Sequence, residues 1–192
     1  MTATFPRWLW ASTWGWWLGI VLVTALAIAA DSIGVEHAQV PVGVGMGLGV
    51  GLAQWLALRR AGGSAAGWLR ATLLGVTAPF VLADLARLVG LGDTYALYAA
   101  AALAGIAAGV LQARTWRLRG SACALWIVAG TAAWIVASGT VAAADAIWQA
   151  RAVDGRLGLA LYLGLLFGGG VPLGVVTGWA ARRLAHPRTA AA

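Results

Sequence analysis

The apolar positions of this chain fall into six long runs separated by short polar or glycine-rich breaks. About 20 apolar residues are what an α-helix needs to cross the hydrocarbon core of a bilayer. The runs predict membrane-spanning helices from about Trp8 to Ala30, Val40 to Leu58, Gly67 to Val89, Tyr95 to Ala113, Ser121 to Ala144 and Leu157 to Leu184. Turn signals at Gly62-Gly63-Ser64 and Gly90-Leu91-Gly92-Asp93 separate neighbouring runs. Short connections make consecutive helices antiparallel neighbours, so the runs pair as three hairpins at about 8–60, 67–119 and 121–184. The expected fold is therefore an all-α integral membrane protein, a six-helix bundle in one transmembrane domain with a short tail over 185–192. Arg7 and the small-residue stretch Ala27-Ile28-Ala29 resemble parts of a signal peptide. The first run is longer than an ordinary signal core, so it is expected to be a retained span.

Composition removes the water-soluble alternative. Of the 192 residues 61% are apolar and 10% charged, against roughly 45–50% and 25% in soluble domains. The net charge of +7 is carried by thirteen basic residues, all arginine, at the ends of apolar runs. That placement is a topology signal rather than a nucleic-acid footprint, and no nucleic-acid partner is expected. One side of the threaded chain holds Arg7, Arg59, Arg60, Arg70, Arg114, Arg117, Arg119, Arg182, Arg183 and Arg188; the other holds Arg87, Arg151 and Arg156. Arginine-rich loops stay in the cytoplasm, so both termini are expected there. The six acidic residues, Asp31, Glu36, Asp84, Asp93, Asp145 and Asp154, then fall at the outer face. Arginine without lysine, together with abundant Ala, Gly and Trp, suggests a GC-rich bacterial genome and hence a bacterial inner membrane. The single cysteine, Cys123, excludes an intramolecular disulfide.

Self-similarity constrains the architecture further. Each even-numbered span carries two glycines four apart, a polar residue three positions on, and an arginine five after that. The sets are Gly47, Gly51, Gln54, Arg59; Gly105, Gly109, Gln112, Arg117; and Gly170, Gly174, Thr177, Arg182. The odd spans open with Trp8-x-x-Ala11-Ser12, Trp68-x-x-Ala71-Thr72 and Trp126-x-x-Ala129-Gly130, and end near Asp31, Asp84 and Asp145. Small residues let helix backbones approach closely where no hydrophobic effect drives association, so the glycines mark helix contacts. Gly43, Gly47 and Gly51 lie on one face of the second span, with Gly45 and Gly49 about 200° around, which sandwiches that helix between two neighbours. The string Gly47-x-x-x-Gly51-x-x-Gln54-Trp55-x-x-Leu58-Arg59-Arg60 resembles one found in uncharacterised bacterial multi-pass membrane proteins. That resemblance covers about one span per repeat and implies no function.

Several groups are candidates for chemistry. An ionisable side chain inside a span is a functional hypothesis by default. If the hairpins surround a threefold axis, Asp31, Asp84 and Asp145 converge at the outer mouth on a cation or cationic ligand; otherwise each caps locally, Asp84 with Arg87 and Asp145 with Arg151. Gln54, Gln112 and Thr177 either line a polar path or bond between helices. Arg59, Arg60, Arg117, Arg119, Arg182 and Arg183 form a cytoplasmic rim suited to anionic lipid or an acidic membrane-protein partner. Trp8, Trp10, Trp14, Trp16, Trp17, Trp55, Trp68, Trp116, Trp126 and Trp179 are expected to form an inner-leaflet belt, with Trp14, Trp16 and Trp17 as an alternative ligand-stacking cluster. His37 and His186 fall on opposite sides, and no nucleophile elbow, metal motif or phosphate loop is present, so neither an enzyme nor a cofactor is expected. The favoured reading is a non-enzymatic accessory or interaction component. The alternative is a small transporter or ligand-binding protein with Asp84 and Gln54 or Gln112 on a common wet space.

Overall fold

The computed structural model describes residues 4–63, 65–91, 97–150, 153 and 155–185. They form α1 (Phe5–Ser32), α2 (Val40–Arg60), α3 (Trp68–Leu88), α4 (Leu97–Thr115), α5 (Gly120–Gln149), α6 (Gly155–Gly168) and α7 (Gly170–Ala185). Five of these helices, and α6 with α7 taken together, are long and apolar enough to cross a membrane. Proline starts α1 and α2, where the first turn has no intrahelical use for its missing N–H. Gly34, Gly62 and Gly90 turn left-handed after α1, α2 and α3. The next N–H then reaches back to Ala30, Leu58 and Ala86, so otherwise orphaned carbonyls are satisfied. After α4 the same turn is made by Arg117, a non-glycine residue at φ 54°.

The helices close a ring. α1 packs on α2, α2 on α3, α3 on α4 and α4 on α5; α5 packs on α6 and α7, and α7 returns to α1. Glycine decides how near these neighbours lie. A Cβ added at Gly43, Gly47 or Gly51 would meet α3, while one at Gly45 or Gly49 would meet α1, so α2 is held between them on its two glycine faces. The same register recurs at each junction from an even span to the following odd helix. Gly47 and Gly51 face Leu73 and Leu69; Gly105 and Gly109 face Thr131 and Ile127; Gly170 and Gly174 face Thr13 and Leu9. The facing residues stand five and one positions after Trp68, Trp126 and Trp8.

The sixth span is not the single helix its hydropathy predicts. It breaks at Gly169, between α6 and α7. A Cβ there would run into the Trp16 indole and the Ala137 carbonyl. The break frees carbonyls in an apolar setting, where an unsatisfied one costs several kcal/mol. Trp16 Nε1 donates to the Leu166 carbonyl at 3.0 Å and Trp17 Nε1 to that of Phe167 at 2.8 Å. α7 takes the ring position against α1, while α6 rests mainly on α5 and buries only Gly158.

Two apolar clusters fill the ring. One, toward the end where α1 begins and α7 finishes (the terminal end), contains Trp8, Leu58, Trp68, Ala113, Trp126 and Ala180. The other includes Trp16, Val50, Val76, Phe80, Ala104, Ala133, Trp134 and Leu173.

Candidate functional site

The most organised polar chemistry lies on the ring axis near the terminal end. Trp8, Trp68 and Trp126 open α1, α3 and α5, and each is at most 2% exposed. Their rings form a triangle with centroids 5.7, 5.9 and 6.4 Å apart in edge-on contact. Such contacts are worth about 0.5–1.5 kcal/mol each beyond burial. Trp116, at the end of α4, closes the group at 4.4 Å from Trp68 and 4.8 Å from Trp126.

Each of the three buried indoles donates to the polar residue of the preceding even span. Trp68 Nε1 reaches Gln54 Oε1 at 3.3 Å, Trp126 Nε1 reaches Gln112 Oε1 at 3.1 Å, and Trp8 Nε1 reaches Thr177 Oγ1 at 2.9 Å. The amides then turn back into their own hairpins: Gln54 Nε2 donates to Ser12 Oγ at 3.1 Å and Gln112 Nε2 to Thr72 Oγ1 at 2.9 Å. Because an indole only donates, it fixes which amide atom is the oxygen. Thr177 is too short for a second reach; its hydroxyl donates to the Leu173 carbonyl at 2.6 Å. The residue at the Ser12 and Thr72 position of α5 is Gly130, which has nothing to bond. Gln54, Gln112 and Thr177 are therefore buried interhelical ties, each bridging to an indole of the next helix.

Trp8, Trp16, Trp68 and Trp126 do not belong to an interfacial belt: they are interior residues with satisfied N–H groups. Trp10, Trp14, Trp17 and Trp179 do face outward, at 61, 57, 39 and 47% exposure. For Trp8, Trp68 and Trp126 a signal was present in the sequence, since they recur at the same place in each hairpin; Trp16 carries no such mark.

Asp84 does not pair with Arg87. Its carboxylate accepts the N–H groups of Gln39 at 2.8 and 2.9 Å and of Val40 at 2.8 Å, capping the start of α2. A carboxylate at a helix N-terminus meets free N–H donors and the positive end of the helix dipole. Arg87 donates instead to the carbonyls of His37 and Glu36, 2.9 and 3.2 Å away, so both side chains pin the loop between α1 and α2. Asp31 and Asp145 are exposed near the ends of α1 and α5. Asp31 lines a shallow pocket of about 400 Å³ with Glu36, His37 and Pro41, which neither Asp84 nor Asp145 enters. Among the described residues no three His, Cys, Asp or Glu side chains gather as a metal-binding group. Asp93, Arg151, Asp154, His186 and Arg188 lie outside the described residues.

Three of the six rim arginines are folded onto aromatic rings. Arg59 covers Trp55 at 4.7 Å, Arg182 covers Phe5 at 5.7 Å and Arg183 covers Trp179 at 5.4 Å. Arg117 sits in the turn after α4 and Arg119 precedes α5, both exposed. Arg60 lines a groove between α1 and α2 together with Arg7. Compared with family models, characterised proteins and solved structures, the chain matches none.

Proposed function

We propose that this chain is a non-enzymatic multi-pass protein of the bacterial inner membrane, an accessory or interaction component that works through its outer surface. In this reading three hairpin repeats surround an approximate threefold axis, and both termini face the cytoplasm. The registered glycine contacts and the three indole ties support the repeat. Arginines at the terminal end, with all described carboxylates at the other, support the orientation.

One observation carries the functional reading: Gln54 and Gln112 are used up on the hydroxyls and indoles beside them. Gln54 and Gln112 are 3 and 8% exposed and bonded on both sides, and four indoles fill the axis beside them. Asp84 is engaged by backbone N–H groups. What the molecule offers is its exterior, an anionic-lipid-compatible rim and an apolar perimeter that suits a membrane-protein partner.

Thiol labelling in sealed vesicles tests this. In a Cys123→Ala background, Gln54→Cys and Gln112→Cys are expected to resist a membrane-impermeant maleimide from either face, whereas Arg59→Cys reacts. Rapid labelling of the two glutamine positions from one face would replace this reading with the small transporter or ligand-binding protein.

A further inference from the structure

A groove of about 540 Å³ opens on the outside of the bundle between the start of α1 and the end of α2. Arg7 and Arg60 stand at its polar mouth, Trp10 and Trp14 form one wall, and Leu56 with small alanines forms the other wall and floor. Residues 7, 10 and 14 share one face of α1, and 53, 56 and 60 share one face of α2, as helical spacing requires. The seven helical steps from Arg7 to Trp14 rise about 10 Å, so the groove runs from a charged end to an apolar one over the depth separating headgroups from upper acyl chains.

Two further features point to a ligand. Arg7 and Arg60 face one groove whose lining, among the described residues, contains no carboxylate. Like charges held together in this way favour an anion between them, and guanidinium forks match phosphate oxygens. The indoles on α1 also divide by function: Trp8, Trp16 and Trp17 donate to protein oxygens, whereas exposed Trp10 and Trp14, on the groove wall, donate to none among the described residues. Their N–H groups are free for the ester and phosphate oxygens of a lipid, with the rings against its acyl chain.

We propose that this groove is a discrete site for one anionic glycerophospholipid, its phosphate between Arg7 and Arg60 and its proximal acyl chain along Trp10 and Trp14. The proposal rests on the membrane interaction reading above and narrows its arginine rim to one place.

Native mass spectrometry of the full chain, released from mild detergent containing equal phosphatidylglycerol and phosphatidylcholine, tests it. The wild type is expected to retain one phosphatidylglycerol, preferred by about tenfold or more, as two surface arginine contacts would give. R7Q/R60Q should abolish the preference. W10A/W14A should cut retention at least about threefold with both arginines in place. R114Q/R119Q, which removes two exposed arginines elsewhere at the same end of the bundle, should change nothing. Equal loss in the R114Q/R119Q control would mean diffuse attraction by the rim, and full retention by R7Q/R60Q would mean another site; either overturns the proposal. Displacement by equimolar glycerol 3-phosphate would assign the groove to a soluble phosphate and overturn it too. Near-ultraviolet circular dichroism of the buried indoles checks that each variant keeps its fold. None of these outcomes alters the thiol-labelling result, so the groove and the broader reading fail separately.

Discussion

Gly130 occupies the position that Ser12 and Thr72 hold in the other two hairpins, and it belongs to the hairpin whose tie is Thr177 rather than glutamine. The pairing has a physical logic: a long amide spans from a hydroxyl to an indole, and where the hydroxyl is missing a short hydroxyl serves the indole alone. An added Cβ at Gly130 would meet only the Gly105 carbonyl oxygen at 3.7 Å, an ordinary contact, so the site has room. The double substitution G130S/T177Q should therefore couple favourably, by about 0.5–1.5 kcal/mol relative to the sum of the singles. A thermal-unfolding cycle in detergent measures that coupling, and additive or antagonistic singles would count against the repeat. At this scale the polar set Gln54, Gln112 and Thr177 was legible because it recurs in register. The partners were not, since spacing along one helix says nothing about which neighbour a side chain faces.

Helices here meet through backbone contact rather than interlocking side chains, so the effect of a methyl group depends on what stands opposite. At Gly49 an added Cβ would press on the backbone of Gly15 and Gly19, which no rotamer change relieves. Gly49→Ala is expected to destabilise the protein by about 1–3 kcal/mol through separation of α1 and α2. At Gly164 in α6 nothing lies within 4 Å, and Gly164→Ala should be neutral or stabilising by about 0.5–1 kcal/mol. Comparing the two by melting temperature in one detergent checks the claim; equal effects would refute it. The two glycine faces of α2 followed from helical periodicity alone. The break at Gly169 did not, because hydropathy is blind to continuity and the break is made tolerable by Trp16 and Trp17, about 150 residues away in sequence.

For the whole molecule, the closure of the chain on itself is the central fact. Trp8 and Thr177 are 169 residues apart and bonded, which places the first and last helices side by side. Six crossings with this arginine distribution predict that reporters fused at either terminus, active only in the cytoplasm, both give signal. Signal from only one end would remove the orientation, and with it the inner-leaflet setting of the Arg7–Arg60 groove.

By itself the sequence determined the apolar setting of this protein, the number of spans and the spots where backbones touch, because hydropathy, length and glycine spacing are properties of the chain read in one dimension. Only the tertiary structure decided that the repeated tryptophans point inward, that Asp84 caps α2 instead of meeting Asp31 and Asp145, and that α7 rather than all of the sixth span seals the ring. Those outcomes depend on which donor finds which acceptor across helices far apart in sequence. In an apolar setting that matching is settled by what each buried polar group can reach after the bundle has closed.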